Sequence, residues 1–570
     1  MEIPTYDVLI IGGGLAGLRA AIAVVENDPG LEVALVSKVY PMRSHTVSAE
    51  GGAAAVMQEP DSFDTHAFDT VKGSDYVADQ DVVEVFVREA PVEIRQLEHW
   101  GCPWSREPDG RISQRPFGGM SVWRTCFAAD KSGFHMLHTV FQTSLKYPQI
   151  HRHDEFFATK LIVEEGRCDG VIGFDIRSGE VSSLAARAVI LATGGNGRVF
   201  AFSTNGSICT GDGMSLAYRA GVALKDMEFV QFHPTGMPST GILITEAVRG
   251  EGGYLINAEG DRFLSEYVPG KMELGPRDII SRSMVTEFEA GRGFEGPYGN
   301  YMHLDVRHLG QKHIDEKLPF MRELGLEYLG IDIVTDPLPV RPVEHYMMGG
   351  IDADISGATP LPGLYAAGEC ANVGLNGANR LGSNSLPECL VFGAAAGRAA
   401  AGYVRGRARP GDNPIASLVR DEERRIETTY LQAKGGDQRV GQIRDDLQAA
   451  MERGAGVFRT EQSLRELTED LQKLRQRFGR ARLDDHSRTF NTELVATLEL
   501  EFLLDSAETI AHSALARKES RGAHARRDFT ERDDEHFLAH TLAYYKEGAP
   551  PRLEYRPVRR TQWEPQARTY

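Results

Sequence analysis

Apolar and polar positions follow several rhythms along this chain. Tyr6-Asp7-Val8-Leu9-Ile10-Ile11 is a nearly unbroken apolar run of strand length, stopped by Gly12-Gly13-Gly14-Leu15-Ala16-Gly17. Apolar positions then return at helical spacing from about Leu15 to Glu26, and Asn27-Asp28-Pro29-Gly30 ends them. Val33-Ala34-Leu35-Val36 is a second strand, completing a strand–turn–helix–strand unit. Ala188-Val189-Ile190-Leu191-Ala192-Thr193-Gly194-Gly195 and Gly363-Leu364-Tyr365-Ala366-Ala367-Gly368-Glu369 read as further buried strands ending at glycines. They are expected in one sheet with their carboxyl ends towards a ligand, although either alone could be an ordinary strand. Residues 233–345 lack the βαβ rhythm and read as an inserted α+β capping domain. After Ala400 come a linker, Arg405-Gly406-Arg407-Ala408-Arg409-Pro410-Gly411-Asp412, and charged amphipathic helices. Leu464, Leu467, Leu471, Leu474 and Phe478 recur at three- and four-residue steps, a packing stripe. The expected fold is α/β. A Rossmann-like domain (1–232 and 346–404) carries the cap (233–345), followed by a helical domain (405–525) and a small C-terminal domain (526–570).

With 570 residues the chain is too long for one core. Its net charge of −18 argues against nucleic-acid binding, which needs a broad basic surface. An anionic substrate remains open, because a few converging arginines in a cleft outweigh the global sign. Six cysteines, none in Cys-x-x-Cys spacing, argue against a zinc or iron–sulfur site in this chain and fit a reducing compartment, and no metal is expected. The apolar stretch from Tyr6 to Val25 contains glycines and Arg19, so it is not expected to span a membrane. The Met1-Glu2-Ile3 start lacks the basic character of a secretory signal.

The glycine turn implies a bound dinucleotide with its pyrophosphate at the helix start. A nicotinamide-binding unit usually ends its second strand with Asp or Glu for the ribose, whereas here Ser37 and Lys38 follow. That weakens NAD and leaves FAD untouched. His45, in Arg43-Ser44-His45-Thr46, points the same way, since an imidazole can bond covalently to a flavin ring and not usefully to a nicotinamide. Gly51-Gly52 is small enough for a planar ring to approach the backbone.

Candidate chemistry clusters on loops beside glycines. The runs are Gln231-Phe232-His233-Pro234-Thr235-Gly236, Thr245-Glu246-Ala247-Val248-Arg249-Gly250, Gly275-Pro276-Arg277-Asp278, His345-Tyr346-Met347-Met348-Gly349-Gly350 and Asn379-Arg380-Leu381-Gly382-Ser383-Asn384-Ser385-Leu386. Flavin redox chemistry at carbon needs hydride transfer at one carbon and a proton at its neighbour. A dicarboxylate substrate needs two anion sites as well, and Arg supplies a two-pronged donor. His233, Thr245, His345 and Arg380 match that demand, with Arg277 and Arg249 to spare. Glu246 and Arg249, three apart, could equally be a helical ion pair.

Over nearly its whole length, from Gly12 to Ala516-Arg517-Lys518-Glu519-Ser520-Arg521-Gly522-Ala523-His524, the chain resembles the flavoprotein subunits of fumarate reductase and succinate dehydrogenase. The Arg43–Thr46, His-Pro-Thr-Gly and Gly-Pro-Arg-Asp runs together carry the resemblance. It implies covalent FAD on His45 and a raised flavin potential. The expected flavin contacts are Gly12, Gly13, Gly14, Ala16, Gly17, Ser37, Lys38, Ser44, His45, Thr46, Glu50, Gly51, Gly52, Thr193, Gly194, Asp212, Glu369, Arg380, Ser385 and Leu386. It implies that His233, Thr245, His345 and Arg380 hold fumarate or succinate with Glu246 beside them, and that Arg277 is the proton donor, supplied through Glu246 and Arg249. From the residues alone a His or Glu246 would be the better acid, because free Arg stays protonated at ordinary pH. The resemblance further implies an iron–sulfur subunit and a membrane anchor that handles quinone, on the cytoplasmic side of a bacterial inner membrane. Glu50, where dehydrogenases tend to have Gln, favours the fumarate-reducing direction, with the dehydrogenase direction as the alternative. L-Aspartate oxidase is less favoured because it lacks the flavin-linking histidine. A flavin scaffold that only docks partners would not need two carboxylate sites.

Overall fold

The computed structural model describes residues 4–408, 412–433 and 436–569, without side chains at 412–414. The Met1–Ile3 terminus and Arg409-Pro410-Gly411 of the expected linker lie outside the described residues. The first strand is Thr5–Ile11, and the helix Leu15–Asn27 runs one residue past its expected end.

Thr5–Ile11 pairs in parallel with Val33–Ser37 on one side and Val181–Leu191 on the other. Leu364–Ala366 also pairs in parallel with Val181–Leu191, Tyr365 opposite Ile190, so the two late glycine-ended strands do share the first strand's seven-stranded sheet. Side chains alternate between the two faces. Val8 and Ile10 pack with the helices Leu15–Asn27 and Ser385–Val404. Leu9 and Ile11 pack on the other face with Leu498, Phe502 and Ile510 of the helix Thr492–Ala516. The near-continuous apolar run of Thr5–Ile11 follows from this burial on both faces.

The cap has a core of its own, including Val248, Ile280, Met284, Leu304 and Val340. It is an antiparallel sheet ordered Val230–Gly236, Leu338–Met347, Met302–Asp305, Tyr254–Ile256, with the helix Arg277–Glu289 against it. Val230–Gly236 begins before residue 233 and Leu338–Met347 continues past 345, so two mutually paired strands cross the expected limits of the segment.

Leu464, Leu467, Leu471 and Leu474 are buried in the helix Glu461–Phe478, which Thr460 and Ser463 start with a capping box. The hairpin Ala539–Tyr544 and Arg552–Pro557 extends a sheet that also holds Leu224–Lys225, Gly350–Asp352 and Ala371–Asn372. This C-terminal hairpin is therefore joined to strands from the earlier part of the chain. Among the described residues, no helix is long and apolar enough to cross a membrane.

Candidate active site

A cleft of about 1590 Å³, counting its part open to solvent, lies where Ile11, Ala192 and Ala367, at the ends of three parallel strands, face the cap. Gly12 has a left-handed φ of +123°, and a Cβ there would lie 2.0 Å from the Ala192 carbonyl oxygen. Gly17 does not line the cleft: a Cβ on it would sit 1.9 Å from the Gly12 oxygen, so it serves the approach of helix to turn. Every other expected flavin contact does line it. The helix Leu15–Asn27 starts on Gly14 with no side-chain cap, and Leu15 N–H donates to Thr46 Oγ1 at 3.3 Å. A helix start of this kind, open on a cleft, accepts a pyrophosphate.

Lys38 is not free to serve a ribose. Its Nζ lies 2.7 Å from Asp212 and 2.7 Å from Glu499 and donates to Thr210 Oγ1 at 2.8 Å. Burial works against its charge, but the two carboxylates prevail and raise its pKa. Glu499 comes from the helix Thr492–Ala516, so the helical segment is tied by an ion pair to a lysine of the cleft wall.

His45 begins a short 3-10 turn, His45–Ser48. Its Nδ1 accepts the Gly206 N–H at 3.2 Å, and burial holds its pKa down to about 4. The ring is neutral with its hydrogen on Nε2. Burial first, then Asp130, push the Glu50 carboxyl well above the usual range. Arg115 and Lys131 oppose that rise without cancelling it. A Cβ on Gly51 would come within 2.7 Å of the Phe117 ring, and one on Gly52 (φ +125°) within 2.4 Å of the Cys126 oxygen. Glu369 accepts the Met347 N–H at 3.1 Å, and burial raises its pKa to about 7.

Under the cap, His233 and His345 come from the paired strands Val230–Gly236 and Leu338–Met347, with ring centroids 4.9 Å apart. His233 Nδ1 accepts the Thr235 N–H at 3.2 Å, so a neutral His233 carries its hydrogen on Nε2, a buried atom without a protein partner. Burial, then Arg277, hold the His233 pKa well below normal, and the same order of causes applies to His345. Thr245 lies in the same wall.

Arg277 heads the helix Arg277–Glu289, where Pro276 is N-cap. Its Nε donates to Glu246 Oε2 at 2.7 Å and its Nη1 to Gln231 Oε1 at 3.0 Å. Arg249 does not line the cleft; it stands behind Glu246, Nη2 to Oε2 3.5 Å, and donates through Nη1 to the Glu273 carbonyl. Burial alone would raise the Glu246 pKa, but Arg277 and Arg249 override it and lower it. Arg380 donates to Ser385 Oγ and lies 4.3 Å over the Tyr346 ring, whose hydroxyl donates to Glu388 at 2.8 Å. Burial, then Arg277, lower its pKa to about 10.

Gln231, Tyr346 and Glu388 were not among the expected site residues. Alternation along a strand places Gln231 on the face of His233, and that signal was legible. The packing of Glu388 beneath Tyr346 left no local trace. Ser44 Oγ, Glu50 Oε2, Ser383 Oγ, His233 Nε2 and Arg380 Nε are buried without partners, all on residues of this cleft. Buried polar atoms are normally satisfied, so the cleft is shaped for a polar ligand. Gly194 meets nothing within 4 Å at a built Cβ, leaving open space there. With the open helix start, these residues fit FAD, and the histidine–arginine pocket beside it fits a small dianion.

Residues 7–386 match the family model described as an FAD binding domain, and residues 444–570 match that described as the fumarate reductase flavoprotein C-terminus. A fumarate reductase flavoprotein subunit of Mycobacterium tuberculosis is 57% identical, over 99% of each chain. A succinate dehydrogenase flavoprotein subunit of Rickettsia bellii is 41% identical, covering 97% of this chain and 95% of its own. A solved mutant of the Escherichia coli quinol fumarate reductase chain FrdA superposes with a TM-score of 0.98 at 49% identity, covering 100% of this chain and 99% of that one.

Proposed function

The chain belongs to the fumarate reductase and succinate dehydrogenase flavoprotein family, and on that premise we propose how its residues divide the work. It is a flavoprotein oxidoreductase subunit that carries FAD and interconverts fumarate and succinate. The observation that carries the reading is the joining of two histidines and two arginines on one wall of a cleft whose other wall is built for a dinucleotide.

FAD, when bound, supplies two-electron hydride chemistry at one carbon of the substrate. His45 is its proposed covalent anchor, through Nε2, because Gly206 occupies Nδ1. An imidazole attached there stays neutral and keeps its acceptor. His233 Nε2–H, His345, Thr245 and Arg380 grip the two carboxylates. Arg380 polarises the carboxylate it holds, which makes the adjoining double bond electrophilic. Arg277 delivers the proton to the second carbon. With Nε on Glu246 and Nη1 on Gln231, its Nη2 is the amine left for substrate. Glu246 and Arg249 lead back from the cleft, which supports their reading as the path that resupplies the proton. In succinate oxidation the same groups work in reverse.

We also read the segments 1–232 with 346–404, 233–345, 405–525 and 526–570 as flavin, capping, helical and C-terminal domains. Electrons pass to or from an iron–sulfur subunit and, through a membrane anchor, the quinone pool, with this chain on the cytoplasmic face of the membrane. Support comes from the relatives named for quinol fumarate reductase and from the need for a next electron carrier. The fumarate-reducing direction is preferred: the fumarate reductase relative is 57% identical and the succinate dehydrogenase relative 41%. The test is fumarate reduction by a reduced dye and succinate oxidation by an oxidised one, each inhibited by malonate. Absence of both activities in flavin-loaded protein would overturn the reading.

A further inference from the structure

Arg277 and Arg380 are joined by one neutral side chain. Gln231 Oε1 accepts from Arg277 Nη1 at 3.0 Å and from Arg380 Nη2 at 3.0 Å. Its Nε2 donates to Asn379 Oδ1 at 2.9 Å and to the Arg380 carbonyl at 2.8 Å. Gln231 is wholly buried. All the hydrogen-bonding capacity of its amide is used, since the oxygen has two lone pairs and the nitrogen two hydrogens. The amide cannot be turned over: its oxygen faces two guanidiniums that only donate, and its nitrogen faces a carbonyl that only accepts.

We infer that Gln231 is a positioning residue that sets both the spacing and the charge of the two guanidiniums. The inference rests on the reading that Arg277 and Arg380 serve one substrate. Two buried cations close together repel, and Arg277 is among the causes that lower the Arg380 pKa. A shared acceptor holds such a pair in place. A carboxylate would do so more strongly, but it would cancel charge the dianion needs and make Arg277 harder to deprotonate. An amide oxygen joins the pair and cancels nothing. Glu246 already supplies one negative charge on the far side of Arg277, at Nε. A second, at Nη1, would leave Arg277 flanked by anions and disfavour an anionic substrate.

The experiment uses the assembled, flavin-loaded enzyme with Gln231→Glu and Gln231→Met, turnover expressed per bound flavin. Fumarate reduction and succinate oxidation are followed over about pH 6 to 9, and malonate dissociation is read from the flavin spectrum. For Gln231→Glu the fumarate KM and malonate Kd rise by roughly tenfold or more. Its succinate oxidation, which needs Arg277 free to take a proton, sets in at higher pH. Gln231→Met keeps the volume without charge; its kcat falls more than its KM rises, and the pH profile does not move upward. The inference is overturned if Gln231→Glu keeps kcat, KM and pH profile within about twofold of the parent. It is overturned equally if both variants lose flavin, or lose activity alike with an unmoved profile, since the role is then only structural. A parent enzyme without fumarate or succinate turnover would instead refute the functional reading itself.

Discussion

Glu246 holds Arg277 from behind, its Oε2 taking the Arg277 Nε–H at 2.7 Å, while its Oε1 accepts the Gly118 backbone N–H. The carboxylate touches both Arg277 and Arg249 and is fully buried, so it links an interior guanidinium to the one at the cleft. Arg277→Gln should therefore remove the proton donor and leave the clamp standing. Turnover should fall by roughly 10³-fold or more, with malonate still bound within about tenfold of the parent. Near-normal turnover would move the acid role to another group.

His45→Ala should convert a tethered flavin into a dissociable one. Acid precipitation of the parent should leave yellow fluorescence with the peptide around His45, and the variant should release it to the supernatant. The measurement is the partition of flavin fluorescence between pellet and supernatant.

His233 and His345 are held neutral by burial, aided by Arg277, and stay so across the working range. A cationic imidazole would tighten its grip on a dianion as pH fell through about 6.5. The malonate Kd should instead be flat between about pH 6 and 8 apart from ionisation of malonate itself. His233→Ala should weaken malonate by about 1.5–3 kcal/mol, the usual worth of a hydrogen bond to a charged group. A steep pH dependence lost in that variant would contradict the neutral assignment.

Outside the cleft lining, His540 Nδ1 lies 2.7 Å from Asp226 and its Nε2 3.2 Å from Asp79, all three buried. Burial opposes its charge, but the two carboxylates outweigh it and raise its pKa. The contribution of His540 is therefore complete below its unfolded pKa of about 6.5 and is lost as pH rises through the higher folded value. The Tm difference between the parent and His540→Asn should be largest near about pH 6 and shrink on the alkaline side. A difference that grows with pH would mean the imidazole is neutral in the folded protein.

The fold was legible wherever local pattern and final environment agree. The run Tyr6–Ile11 is apolar on both faces because both faces are covered, and the leucines at 464, 467, 471 and 474 are spaced as they pack. His233, Arg277, His345 and Arg380 were legible as a set because each lies in a run that also holds a glycine or proline, although the structure puts both histidines on strands and Arg277 at a helix start. What escaped depends on distance in sequence. Nothing near Lys38 announces Glu499 as its partner, and nothing around Glu50 in sequence shows that burial raises its pKa. Gln231 was visible only as a neighbour of His233, because its function lies in contacts with residues 46 and 149 positions away.

The cap is tied to the flavin-side body by the antiparallel pair Val230–Gly236 and Leu338–Met347, and those same strands deliver His233 and His345. The junction and both imidazoles thus share one piece of backbone. Any displacement of this strand pair would carry both imidazoles together.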